Sequence, residues 1–127
     1  MAWSTDRSAL KTAIENLSYK LAPENKDVRD LKNLQNKIFS IRFIGLGSVE
    51  LMTASKINYS HAVETEFGYV HNDDTQKATN ETNFITIIET IAALSAFENF
   101  TEIPKFEKLD DRHSVGRILM HFGMDNN

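Results

Sequence analysis

The chain has 127 residues, of which 41% are hydrophobic and 25% charged, with a net charge of −4. It is therefore long enough for one domain with its own core. The absence of cysteine excludes a disulfide framework, a thiolate metal site and a thiol nucleophile, and the acidic balance argues against non-specific binding to a polyanion. The opening Met1-Ala2-Trp3 carries neither the basic nor the apolar region of a secretory signal, so a cytoplasmic setting is expected. The Asn-x-Ser/Thr sequons at Asn16, Asn58, Asn80 and Asn99 are then chance matches. Charge is unevenly spread: residues 1–47 hold eight Lys/Arg against five Asp/Glu, residues 48–127 six against thirteen. Such asymmetry suits self-association through unlike faces or a basic face for an acidic partner.

Ser4 or Thr5 can cap a first helix, with Asp6 in its first turn and Leu10, Ala13, Ile14, Leu17 and Leu21 at steps of three and four, so residues 5–21 read as amphipathic. Trp3 is expected to pack onto its first turns. Pro23 ends this helix and suits the first turn of another running to about residue 38, with Val28, Leu31, Leu34 and Ile38 on one side. In KIFSIRFIGLG two patterns compete. Phe39, Ile41 and Phe43 alternate with Ser40 and Arg42 as in a strand, yet Ile38 and Ile41 continue a helical face. Helix is the preferred reading because a lone strand needs a partner. Gly45 and Gly47 stop the element, and Ser48 with Glu50 starts a further helix over 49–66, although no single face holds its apolar residues.

Residues 68–81 are polar and read as a surface loop. In TNFITIIETIAALSAFENF, residues 82–100, Phe84, Ile87, Ile88, Ile91 and Leu94 form one apolar stripe, and Ile85, Ala93, Ala96, Phe97 and Phe100 make the other side apolar too. The stretch is too short and interrupted to span a membrane, which predicts a core helix wrapped on all sides. Pro104 ends it. Asp110 or Asp111 opens a last helix with Val115, Ile118, Leu119 and Phe122 inward and Gly123 as its cap. A frayed tail follows at 124–127.

Chemistry-bearing residues are sparse. His61 and Glu64 have a metal-ligand spacing for a helix, but no second such pair exists for a di-metal bundle, and His71 with Asp73 and Asp74 offers only a loose cation site. Glu89 and Glu98, in the greasiest segment, would need partners or a raised pKa if buried; edge positions reaching water or a cation are the simpler reading. No nucleophile elbow, phosphate loop, dinucleotide fingerprint or zinc-protease motif is present. In the last segment His113, Arg117 and His121 recur every fourth residue as a basic row. HSVGRILMHFG also resembles the groove-reading helix of helix-turn-helix proteins. That resemblance implies a helix-turn-helix at 104–123, with His113, Ser114, Arg117 and His121 facing DNA or an acidic partner.

The sequence thus predicts a single all-α domain over 1–127, a four- to five-helix bundle with 82–100 as its central helix. A small α+β fold with a hairpin in 37–70 is the alternative. The functional expectation is a non-enzymatic interaction module without cofactor or metal: a homo-oligomer, or a small subunit docking on a larger protein or nucleoprotein assembly. DNA binding is the alternative, and no membrane is expected.

Overall fold

A computed structural model describes residues 3–23, 26–28, 35–53 and 56–125. Its largest feature is a long antiparallel hairpin, β2 (Ile38–Thr53) with β3 (Lys56–Val70). Helix α1 (Trp3–Glu15) and the short β1 (Lys20–Leu21) precede it; α2 (Asp74–Ala92), β4 (Phe97–Phe100), β5 (Lys105–Lys108) and β6 (His113–Asp125) follow. The described strands form one mixed sheet in the order β1-β2-β3-β6-β4, with β5 also on β6. Only β1 and β2 run parallel.

The two faces of the sheet follow from strand alternation. Phe39 pairs with Phe67, which pairs with Gly116; Thr65 pairs with Ile118 and Val63 with Met120. All of these point to the helices. There Leu10 and Ile14 of α1 and Phe84, Ile87 and Ile91 of α2 join them in the main core. A packed aromatic group holds the middle: Tyr19, Phe39, Phe67, Tyr69, Phe84 and Phe106 touch ring to ring. Gly116 lies directly beneath the Phe84 ring, where any Cβ would collide with it. The opposite face carries Ser40, Arg42, Glu64, Glu66, Arg117 and His121 in register. One end of that face is covered by the chain after β1, where Ala22 and Val28 bury Ile38 and Val115.

These contacts correct the predicted all-α domain: the protein is α+β, with two helices among the described residues on a large sheet rather than a four- to five-helix bundle. Residues 38–53 and 56–70 form the hairpin of the alternative reading. No helical face could hold the apolar residues of 49–66 because they belong to two different strands, β2 and β3. The predicted helix over 24–38 falls largely outside the described residues; Asn36–Lys37 is a turn. The tail at 124–127 is described only as far as the strand backbone of residue 125.

The predicted central helix moves. It begins at Asp74, inside the stretch expected to be the 68–81 loop, and stops at Ala92. Asp73 caps it, accepting from Gln76 N–H at 2.8 Å, while the Gln76 side chain accepts from Asn72 N–H at 2.7 Å. This is close to the reciprocal capping box. Asn80 then donates to Val70 O at 2.9 Å and ties the helix to the end of β3. Only one side of α2 is covered, with Asn80, Phe84, Ile87 and Ile91 buried and Ile85 facing solvent. The helix is not wrapped all round because its second apolar side, Phe97 to Phe100, is not helical: these residues pair with β6.

The predicted helix-turn-helix at 104–123 is corrected as well. Its two halves are β5 and β6, neighbours in the sheet, so no recognition helix exists. Every fourth residue shares a face on a strand as on a helix, since four is a multiple of two, which is why the pattern was ambiguous.

Candidate interaction site

Among the described residues, β2 has a long free edge. Strand β1 covers β2 for two residues only, and Ala22 N–H, donating to Phe39 O at 2.7 Å, is the last bond between them. Pro23 follows, and no described residue beyond it continues the pairing. Because a strand residue points its N–H and C=O the same way, Ile41 and Phe43 turn theirs toward the side that Phe39 O faces. No described strand meets them there.

Beside this stretch lies an open cavity of about 770 Å³, floored by Ser40, Ile41, Arg42 and Phe43 and walled by α1 and by residues 21–23, 26 and 27. Its walls carry Arg7, Lys11, Lys26 and Arg42 against one described carboxylate, Asp27. Arg7 and Lys11 share a row of α1 by their four-residue spacing. Lys11 is 3.7 Å from Glu15, whereas no described carboxylate forms an ion pair with Arg7 or Lys26. Arg42 is anchored by Glu64 at 2.6 Å, yet half of its side chain stays in contact with water. A guanidinium has five N–H donors, so this anchoring leaves donors for a further acceptor. Glu64 also accepts from Arg117 Nε across the sheet.

Further along, the free edge becomes apolar. Phe43, Ile44, Leu46 and Val49 are 46%, 53%, 50% and 57% exposed. β3 is paired with β6 only from Tyr59 onward, so the far end of the hairpin has no third strand among the described residues.

The residues singled out from the sequence are dispersed. His113, Arg117 and His121 do share one face of β6, but about 13 Å apart at strand rise rather than about 6 Å on a helix. His113 Nδ1 is 2.8 Å from Asp110 in the β5–β6 turn, Arg117 is held by Glu64, and His121 fills the space above Gly47. Ser114 faces the opposite way and is buried. His61 and Glu64, three apart on a strand, point to opposite faces. His61 lies on the helix side, its Nδ1 donating to Phe122 O at 3.1 Å and 3.7 Å from the buried Asp6. Trp3, Phe43 and Tyr59 ring it, which encloses the imidazole. Trp3 lies within α1, its indole against Phe43 and His61. Glu89 is exposed on α2 and Glu98 half-buried on β4. Among the described residues no group of three or more His, Asp or Glu is placed to hold a metal ion, and no helix is long and apolar enough to cross a membrane.

Sequence reasoning missed Arg7, Lys26 and Arg42 as neighbours. The signal was the basic excess of residues 1–47, which the fold concentrates at one groove. No family model and no curated protein sequence matches this chain. What the molecule defines by itself is a helix-backed mixed sheet with a two-part free strand edge, cationic near β1 and apolar beyond.

Proposed function

We infer that the protein is a non-enzymatic interaction module that associates with a second copy of itself through the apolar far half of the β2 edge. The observation that carries this reading is the row Phe43, Ile44, Leu46 and Val49, about half exposed on a strand without an outer neighbour. An exposed, long, apolar strand edge pairs readily with another chain, since it offers both unpaired backbone groups and surface to bury. Pairing two such edges about a two-fold axis would join two sheets into one and close the assembly at a dimer. The lack of a catalytic constellation in the described residues is compatible with this reading, as is the dispersal of the histidines.

Light scattering at micromolar concentration tests it. The expected species is a dimer, and Leu46→Glu with Val49→Glu should return a monomer with an unchanged circular dichroism spectrum. A wild-type chain that stays monomeric at these concentrations overturns the self-association reading.

A further inference from the structure

We propose that the cationic near half of the β2 edge is a binding site for an extended acidic segment of a partner protein, which adds to the sheet as a strand beside Ile41 and Phe43. This goes beyond the self-association above and shares only Phe43 with it. Two independent features converge on the same 770 Å³ groove. Its floor is strand backbone without a described strand partner, and main-chain bonds of this kind hold an added strand irrespective of sequence. Its walls are cationic: Arg7 and Lys11 on α1, Lys26 on the opposite wall and Arg42 on the floor, with Asp27 the one described carboxylate. Charge complementarity therefore selects the sign of the occupant, and the open edge selects its conformation. β1 ends at Leu21, and no described strand pairs with Ile41 or Phe43 on this side, where the groove lies open beside them. The buried Glu64 anchors Arg42 on the floor, so this cation meets the ligand already ordered. An acidic peptide with alternating apolar residues fits both demands: its carboxylates reach the walls, and its other side chains lie toward Ile41 and Phe43.

The test is fluorescence anisotropy with a labelled peptide of about ten residues alternating Glu and Val, a usual strand length. Controls are a Lys/Val peptide and a Glu/Val peptide methylated on alternate backbone nitrogens. The Glu/Val peptide should bind, and binding should weaken steeply as salt rises. Arg7→Glu with Lys26→Glu, both at solvent-reachable positions, should lower its affinity about tenfold or more. The methylated peptide should not bind. Equal binding of the Lys/Val peptide, equal binding of the methylated peptide, or no binding at low salt would each overturn the proposal. Displacement by a single-stranded oligonucleotide at lower concentration than by unlabelled peptide would overturn it too. Light scattering on Arg7→Glu/Lys26→Glu separates the two ideas. The groove can fail while the dimer persists, and Leu46→Glu/Val49→Glu should leave peptide affinity unchanged.

Discussion

One hairpin leads two lives along its length. Near its open end the hairpin has β6 along β3 and β1 beside Ile38 and Phe39, with the helices on one side, and Ile38, Phe39, Val63 and Phe67 are buried. Beyond Phe43 the β2 edge carries Leu46 and Val49 half in water, and past Gly47 and Tyr59 the two strands have only each other among the described residues. Composition does not separate the halves, since both are rich in aliphatic and aromatic residues. The difference lies in what covers them. Apolar character in a strand records that it will be covered, whereas the fold decides whether the cover comes from the same chain or from another.

The sharpest way to break this comparison is to cut the same kind of side chain in both halves. Phe67→Ala empties the aromatic core and should cost about 3–5 kcal/mol, read from urea unfolding. Val49→Ala, at an exposed position, should stay within about 0.5 kcal/mol at concentrations where the chain is monomeric. A loss at Val49 as large as that at Phe67 would mean that the far half is covered within one chain.

A smaller effect is expected at the boundary between the halves. Gly123 has φ +74°, and a Cβ there would run into the Asp6 carboxylate that lies against His61. Gly123→Ala should therefore cost about 1–3 kcal/mol from backbone strain alone, with part of the loss relieved in the Asp6→Ala background.

The near half also contains the polar pair most sensitive to pH. Tyr19 and Tyr69 hydroxyls meet at 2.6 Å inside the core. Burial pushes the Tyr19 pKa up to about 12, opposed in part by its bond to Tyr69, and burial pushes Tyr69 higher still, helped by its neighbour. A raised folded-state value means that both phenols stay protonated in the native protein while the unfolded chain ionises. Stability from this pair is therefore complete below about pH 10, the unfolded value, and declines as pH rises through about 12. Thermal melts across that window should show the fall, and Tyr19→Phe/Tyr69→Phe should flatten it. At neutral pH Tyr19→Phe alone leaves a buried hydroxyl without its partner, for about 1–3 kcal/mol. The double change should cost less than the two single changes together.

The smallest effect belongs to the β5–β6 turn. Asp110 accepts from Arg112 N–H and meets His113, which hold its carboxyl below the usual carboxylate range. Its contribution is present above the unfolded carboxylate value and is lost as pH falls through the lower folded one. Carbon-detected titration of Asp110 and its shift in His113→Ala check this.

How much was legible varies by element. Helix α1 was legible in its stripe of Leu10, Ala13 and Ile14, but not in its end: it stops at Glu15, and Leu21, expected on the same stripe, lies in β1. The second half of α2 was legible in the same way, but its start was hidden in residues that look like a loop. Asp73 and Gln76, a capping box, were the missed clue. In β6, Val115, Ile118, Leu119 and Phe122 matched a helix by steps of three and four, yet Ser114, Gly116, Ile118, Met120 and Phe122 are the residues that face the helices. Gly116, with the Phe84 ring on it, cannot be understood from local pattern at all. The groove was visible only as a basic excess in residues 1–47, because charge sums carry no positions.

By itself the chain determined the absence of thiol chemistry, the first helix, the uneven charge and a surplus of apolar segments, since these follow from residue types and short-range spacing. Only the tertiary structure decided that 38–53, 56–70 and 113–125 are strands, that Arg7, Lys26 and Arg42 line one groove, and that no described strand covers most of the β2 edge. A strand is stable only against its neighbours, and those neighbours lie dozens of residues away.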